Sequence, residues 1–189
     1  MDTLTMLGRV VTEAQRVVDG VTPEQLSSPS PCAEWTVRDV INHITAGFQI
    51  FSLSAELGAV PDEDLGRLMG GDTLGNDYKG AFRSASNKAL EVFEQPGVLD
   101  RTVTLPFGQM PASAAVDIAL VDVATHTADV ARATGQEMRD DEMLEAALEM
   151  AHRMISPEWR SPGIFGPELS PSDGASTADR LLAFAGRKV

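Results

Sequence analysis

The stretch DVATHTADVARATG, residues 122–135, sets Asp122, His126 and Asp129 at spacings of four and three in a run of mostly small, apolar residues. At about 100° per residue, these side chains fall within about 40–60° of one another on a helix, as one narrow polar stripe. The upstream AAVDIAL is small and apolar too, so this helix is expected to bury most of its circumference. An acid and an imidazole four residues apart point the same way and can grip one ion, the device used by helical zinc motifs. Two donors do not complete a site, and the other histidines are His43 and His152. His43 stands beside Val40, Ile44 and Phe48, with Gly47 one turn on leaving space, and is expected to face the interior. His152 follows Leu148 and Glu149 on a more polar face and is expected in solvent. The constellation is therefore His43, Asp122 and His126. Two imidazoles, one carboxylate and an open position suit a catalytic-type divalent site, with zinc the default and nickel or iron(II) the alternatives.

The same residues admit other chemistry. Asp122 and His126 also suit a cap, a surface ion pair or a metal-free proton relay, and His43 a hydrogen-bonded core histidine. Asp129 is expected to pair with Arg132 or a neighbouring helix, or to orient His126. Cys32 lies in a proline-flanked loop with no basic neighbour in sequence. That favours a packing residue over a nucleophile or thiolate ligand. Trp35 either anchors this loop against the bundle or walls a pocket. No nucleophile elbow, P-loop or GxGxxG motif gives support to a hydrolase, NTPase or dinucleotide enzyme.

Helical periodicity supplies the elements that must position these groups. Apolar residues at 4, 7, 10, 11, 14, 17 and 18 predict a first helix over 4–18. TPEQL carries a capping box, with Thr22 as N-cap, Pro23 at the first position and Gln25 as the returning side chain. SSPSPCAEW reads as a loop. A second helix starts at Thr36, with Asp39 as capping partner, and carries His43. GAVPDEDLGRLMGGD reads as a Gly-rich acidic connection, whose residues 61–72 are expected to be mobile and to gate a pocket. A third helix is predicted over 74–94. RTVTLPFG alternates as a short strand with QMP as its partner or exit. The polar stripe belongs to a fourth helix over 112–133, stopped by Gly135. A fifth spans 140–155, a Pro/Gly-rich segment follows, and a last helix covers 177–185. Long helices with short loops imply a mainly α four-helix bundle with a minor β element and extra C-terminal helices.

The chain has 189 residues, is 43% hydrophobic and carries a formal charge of −13. One domain over 1–189 is expected. The negative field disfavours nucleic acid and anionic membranes, and no apolar run reaches the roughly 20 residues of a membrane span. Cys32 is the single cysteine, so no intrachain disulfide forms. The N-terminus shows no cationic region ahead of an apolar core, and a cytoplasmic protein is expected.

SPCAEWTVRDVINHI resembles the Pro-Cys-x-x-Trp-x-Val-x-x-(Leu/Val)-x-x-His stretch of the actinobacterial mycothiol-dependent maleylpyruvate isomerase N-terminal domain, of the DinB/YfiT-like superfamily. LPFGQMP, DVATHTADVARATGQ and DGASTADRLLAFAGR are similar to its metal-binding branch, so the likeness covers nearly the whole chain. It implies a DinB-like bundle whose divalent metal is held by a His of the second helix and an acid-x-x-x-His pair of a later one, which map to His43, Asp122 and His126. The family usually has Glu where this chain has Asp122, one methylene shorter. The resemblance further implies a small-molecule substrate or a thiol of the mycothiol type as partner, a transferase or isomerase acting on a small electrophile, and a homodimer. The alternative is a non-catalytic, metal-stabilised bundle acting in binding or regulation. The full isomerase adds a separate C-terminal α+β domain. Here 54 residues (189 less 135) follow Gly135, too few for that domain, so the expectation is metal binding rather than maleylpyruvate isomerisation itself.

Overall fold

A computed structural model describes residues 2–160 and 165–188. Its helices are α1 (Thr3–Gly20), α2 (Val37–Leu57), α3 (Asp62–Gly70), α4 (Tyr78–Phe93), α5 (Ala112–Thr134), α6 (Asp141–Met154) and α7 (Thr177–Phe184). Strands β1 (Thr102–Leu105) and β2 (Gly108–Pro111) form an antiparallel hairpin, and 3₁₀ turns occupy Pro23–Ser27 and Pro157–Trp159.

Helices α1, α2, α4 and α5 make a closed square, in which α1 packs on α4 and α5, and α2 packs on the same two from the other side. The apolar stripes foreseen in α1 and α2 face inward, with Leu7, Val10, Ala14, Val17, Val40, Ile41, Ile44 and Phe48 all buried. Phe48 of α2 meets Phe82 of α4 edge to face, ring centroids 5.9 Å apart, locking that pair of helices. Helices α6 and α7 pack on each other and on the outer side of α5, and α3 packs on α2. Among the described residues, no helix is long and apolar enough to cross a membrane.

Most predicted elements form where expected. Gln25 accepts a hydrogen bond from the Thr22 amide at 3.0 Å, closing the short turn before the loop. Gly135 ends α5 at φ 70°, a left-handed conformation that a Cβ would strain. Two expectations fail. The acidic connection is not irregular throughout, since 62–70 form α3. Asp62, Glu63 and Asp64 sit at the positive end of that helix dipole, and Leu68 is buried. The third predicted helix, now α4, begins at Tyr78 rather than 74, because Asp77 caps it by accepting from the Gly80 amide at 3.0 Å. Of the Pro/Gly-rich segment after α6, residues 161–164 lie outside the described residues.

The hairpin register pairs Thr102 with Pro111 and Leu105 with Gly108, across a two-residue turn. Thr104 is also tied to the end of α2: its amide donates to the Gly58 carbonyl at 2.8 Å, and its carbonyl accepts from Ser54 Oγ at 3.0 Å. Because α5 starts directly after β2, these bonds help fix where α5 enters relative to α2. The two helices carry the candidate site.

Candidate metal centre

Thr36 and Asp39 set the first turn of α2. The Thr36 amide donates to Asp39 Oδ2 at 2.9 Å, and the Asp39 amide donates to Thr36 Oγ1 at 3.3 Å. Two turns on, His43 faces α5. Its Nε2 lies 3.4 Å from Asp122 Oδ1, and His126 Nε2 lies 3.6 Å from the same oxygen. The donor atoms of all three residues fall within 4.8 Å of one another. The structure thus brings together the three residues singled out from spacing, two from one helix and one from another. His152 is exposed, as expected, and stacks on Phe184 with centroids 4.1 Å apart.

The 3.4 Å His43–Asp122 contact is a long hydrogen bond, and both separations leave room for an ion. A charge-assisted bond between imidazole and carboxylate closes to about 2.7–2.9 Å. Donors held about 2.0–2.1 Å from one tetrahedral zinc stand about 3.3–3.4 Å apart, near the values found.

Hydrogen bonding behind the site points the same way. His126 Nδ1 lies 2.9 Å from Asp129 Oδ2, and the buried carboxylate accepts its proton. In a neutral imidazole, Nε2 then carries a lone pair. That lone pair faces an Asp122 oxygen, itself an acceptor, so a proton or a cation must lie between them. A carboxylate bonded to the far ring nitrogen in this way is how metal-binding histidines are oriented, and the donor set fits a divalent ion.

The electrostatics are consistent with a strongly anionic focus. Burial pushes the Asp122 carboxyl up, but the charge and hydrogen bond of His43, and then the charge of His126, outweigh it and hold the group at about 2. Burial likewise presses the His43 imidazole down, yet the Asp122 carboxylate leaves it above its ordinary value.

One side of the cluster is open. The His43 side chain is 41% exposed, Asp122 28% and His126 9%, so access runs past His43. Gly47 lies beside that opening, where an added Cβ would stand 3.9 Å from Asp122 Oδ2. Trp35 covers the other approach, its ring centroid 4.9 Å from that of His43 and 5.7 Å from that of His126. It both anchors its loop and walls the site. The loop that carries it is a tight turn, with Trp35 N donating to Cys32 O at 3.1 Å and Ser30 N to Trp35 O at 2.9 Å. Glu34 takes a left-handed φ of 68°, uncommon for a side-chain-bearing residue.

Spacing foresaw Asp129 behind His126 but missed the groups packed beneath it. Asp129 does not pair with Arg132, which instead reaches Asp179 of α7 at 3.4 Å. Its partner besides His126 is Arg187, whose Nε lies 3.6 Å from Asp129 Oδ2. Arg187 Nη2 also donates to Cys32 Sγ at 3.6 Å. Cys32, His126 and Asp129 form a second close cluster, but the positive charge beside it is the Arg187 guanidinium. Burial pushes the Cys32 thiol up, with Arg187 opposing. Cys32 therefore has a basic neighbour after all, 155 residues away in sequence. The only advance signal for Arg187 was its place at the end of the DGASTADRLLAFAGR block.

The family model described as the mycothiol maleylpyruvate isomerase N-terminal domain matches residues 7–131, a span that holds Cys32, Trp35, His43, Asp122, His126 and Asp129. Uncharacterized proteins from two strains of Mycobacterium tuberculosis are each 33% identical over 191 aligned positions, covering 100% of both chains. Among solved structures, the crystal structure of the mycothiol-dependent maleylpyruvate isomerase superposes with a TM-score of 0.67 at 17% identity, covering 86% of this chain and 71% of that one. A histidine-to-alanine mutant of the same enzyme gives 0.64 at the same identity and coverage. At that identity the likeness shows the fold alone, a mainly α helical bundle with a small two-stranded sheet.

Proposed function

The chain belongs to the mycothiol maleylpyruvate isomerase N-terminal domain family, and on that premise we propose that it is a divalent-metal protein acting as a thiol-dependent transferase or isomerase on a small electrophile. The ligands are His43, Asp122 and His126, within one domain spanning residues 1–189. The observation that carries this reading is the placement of both imidazole Nε2 atoms, at 3.4 and 3.6 Å, around one Asp122 oxygen. Zinc is the default ion for two nitrogens and one carboxylate oxygen, with nickel and iron(II) as alternatives.

When bound, such an ion supplies Lewis acidity and makes a thiolate available near neutrality. The chain's own residues do the rest. Asp129 holds His126 in the Nδ1–H form, so that Nε2 faces the site. Asp122 stays ionised and brings negative charge to a half-buried position. Trp35 presents an apolar face over both imidazoles and limits water on that side. Gly47 and the exposed edge of His43 leave the approach by which a small thiol of the mycothiol type and its electrophile enter.

The test is turnover of small electrophiles, maleylpyruvate among them, by tag-free protein with and without mycothiol. Thiol-dependent turnover that disappears in His43→Ala, Asp122→Ala and His126→Ala supports the reading. Stoichiometric metal with no turnover across the panel leaves a non-catalytic, metal-stabilised bundle instead.

A further inference from the structure

Arg187 occupies a position that ordinarily takes an apolar residue. Helix α7 ends in a Schellman turn: Gly186 N donates to Ala183 O at 3.0 Å, and Arg187 N donates to Leu182 O at 2.9 Å. In that motif the residue after the left-handed glycine commonly makes a hydrophobic contact back onto the helix. Here it is an arginine that is only 7% exposed. The turn is itself fixed. Gly186 has φ 84°, and a Cβ there would stand 2.6 Å from Gly166 Cα, so both the conformation and the close approach require glycine.

The buried guanidinium joins three separate segments. Nη1 donates to Ala185 O at 2.7 Å in its own turn, Nη2 to Cys32 Sγ at 3.6 Å in the loop before α2, and Nε faces Asp129 Oδ2 of α5 at 3.6 Å. Asp129 is fully buried, and among the described residues its Oδ1 and the Arg187 Nε have no hydrogen-bond partner. A buried charge is retained against its desolvation cost only where an opposite charge faces it. The two segments that Arg187 ties down carry the carboxylate bonded to His126 Nδ1 and, through the Cys32–Trp35 turn, the indole covering both imidazoles.

We propose that Arg187 is a positioning residue of the metal centre, clamping Asp129 against His126 and the Cys32–Trp35 turn over the site, so that the centre is complete only with the C-terminal turn docked. This rests on the metal reading given above. Outer-shell partners of metal-bound histidines are commonly worth about 10–100-fold in affinity, and Arg187 acts one step behind such a partner.

Zinc affinity, measured by chelator competition on the full chain, tests this in wild type, Arg187→Met, Arg187→Lys, Asp129→Asn and the Arg187→Met/Asp129→Asn double variant. Thermal melts of the metal-free proteins run alongside. Arg187→Met is expected to weaken zinc binding about 10–100-fold, Arg187→Lys to recover part of the loss, and the double variant to lose no more than either single one, since both act through one path. The double variant removes both buried charges and keeps the comparison sound where a single variant folds poorly. Wild-type zinc affinity in the double variant, or in a folded Arg187→Met, overturns the inference and leaves the metal reading standing. A wild-type protein that binds no zinc, nickel or iron(II) overturns both.

Discussion

His126 and Asp129, three residues apart on α5, are joined by a 2.9 Å hydrogen bond from imidazole Nδ1 to a carboxylate with no exposed surface. The bond decides which ring nitrogen faces Asp122, and it ties the site to the buried Arg187. Asp129→Asn keeps an acceptor near His126 but strands the guanidinium. A loss of about 3–5 kcal/mol is expected from leaving one partner of a buried pair uncompensated. Adding Arg187→Met should return most of it, as read from urea unfolding of the metal-free proteins.

Trp35 gives the site an optical reporter. Its ring lies against both imidazoles, and Trp159 is the only other tryptophan. Cobalt or nickel titration should quench a large part of the wild-type emission with saturation near one equivalent. In Trp35→Phe the same titration should leave the remaining Trp159 signal nearly unchanged.

The pH dependence should differ in sign between the metal-free and metal-loaded protein. In the metal-free protein Asp122 holds the His43 imidazole above its ordinary value of 6.5. A raised folded-state value stabilises the fold below that ordinary value, and the gain is lost as pH rises through the folded one. Asp122, held at about 2 rather than 3.8, contributes above 3.8 and is lost only as pH falls toward about 2. Metal requires neutral imidazoles, so protons compete with it. The rise in Tm on adding metal should therefore be small near pH 5 and largest above pH 7, by calorimetry at about equal ionic strength.

Gly47 lies within α2, where glycine costs about 1 kcal/mol relative to alanine. The nearest atoms to an added Cβ are Asp122 Oδ2 at 3.9 Å and Phe51 Cε2 at 4.0 Å, ordinary contacts. Gly47→Ala should raise the Tm by the equivalent of about 0.5–1 kcal/mol while metal stoichiometry is unchanged.

The parts of the fold legible in the sequence were those governed by local periodicity and capping. The α1 stripe, the Thr36–Asp39 box, the hairpin and Gly135 each have a short-range cause. Helix α3 was hidden because Gly66 and Gly70 depress its propensity, while the packing of Leu68 onto the molecule is a tertiary effect. The site divides along the same line. Asp122, His126 and Asp129 share one helix face, and that face can be computed from spacing. His43 could be joined to them because its helix had an apolar side on which to place it. Arg187 and Cys32 meet across 155 residues, and no periodicity encodes that meeting. The exchange of Arg132 for Arg187 as the partner of Asp129 has the same cause: a neighbour three residues along a helix is visible in sequence, whereas one from a docked C-terminal turn is not.

The most direct measurement is metal content. Protein purified without a histidine tag should carry, or take up from stoichiometric zinc, nickel or iron(II), about one ion per chain by inductively coupled plasma mass spectrometry, in keeping with one ion held by His43, Asp122 and His126. His126→Ala, folded by circular dichroism, should carry almost none. Full occupancy in His126→Ala would contradict the assignment of His43, Asp122 and His126 as the ligands.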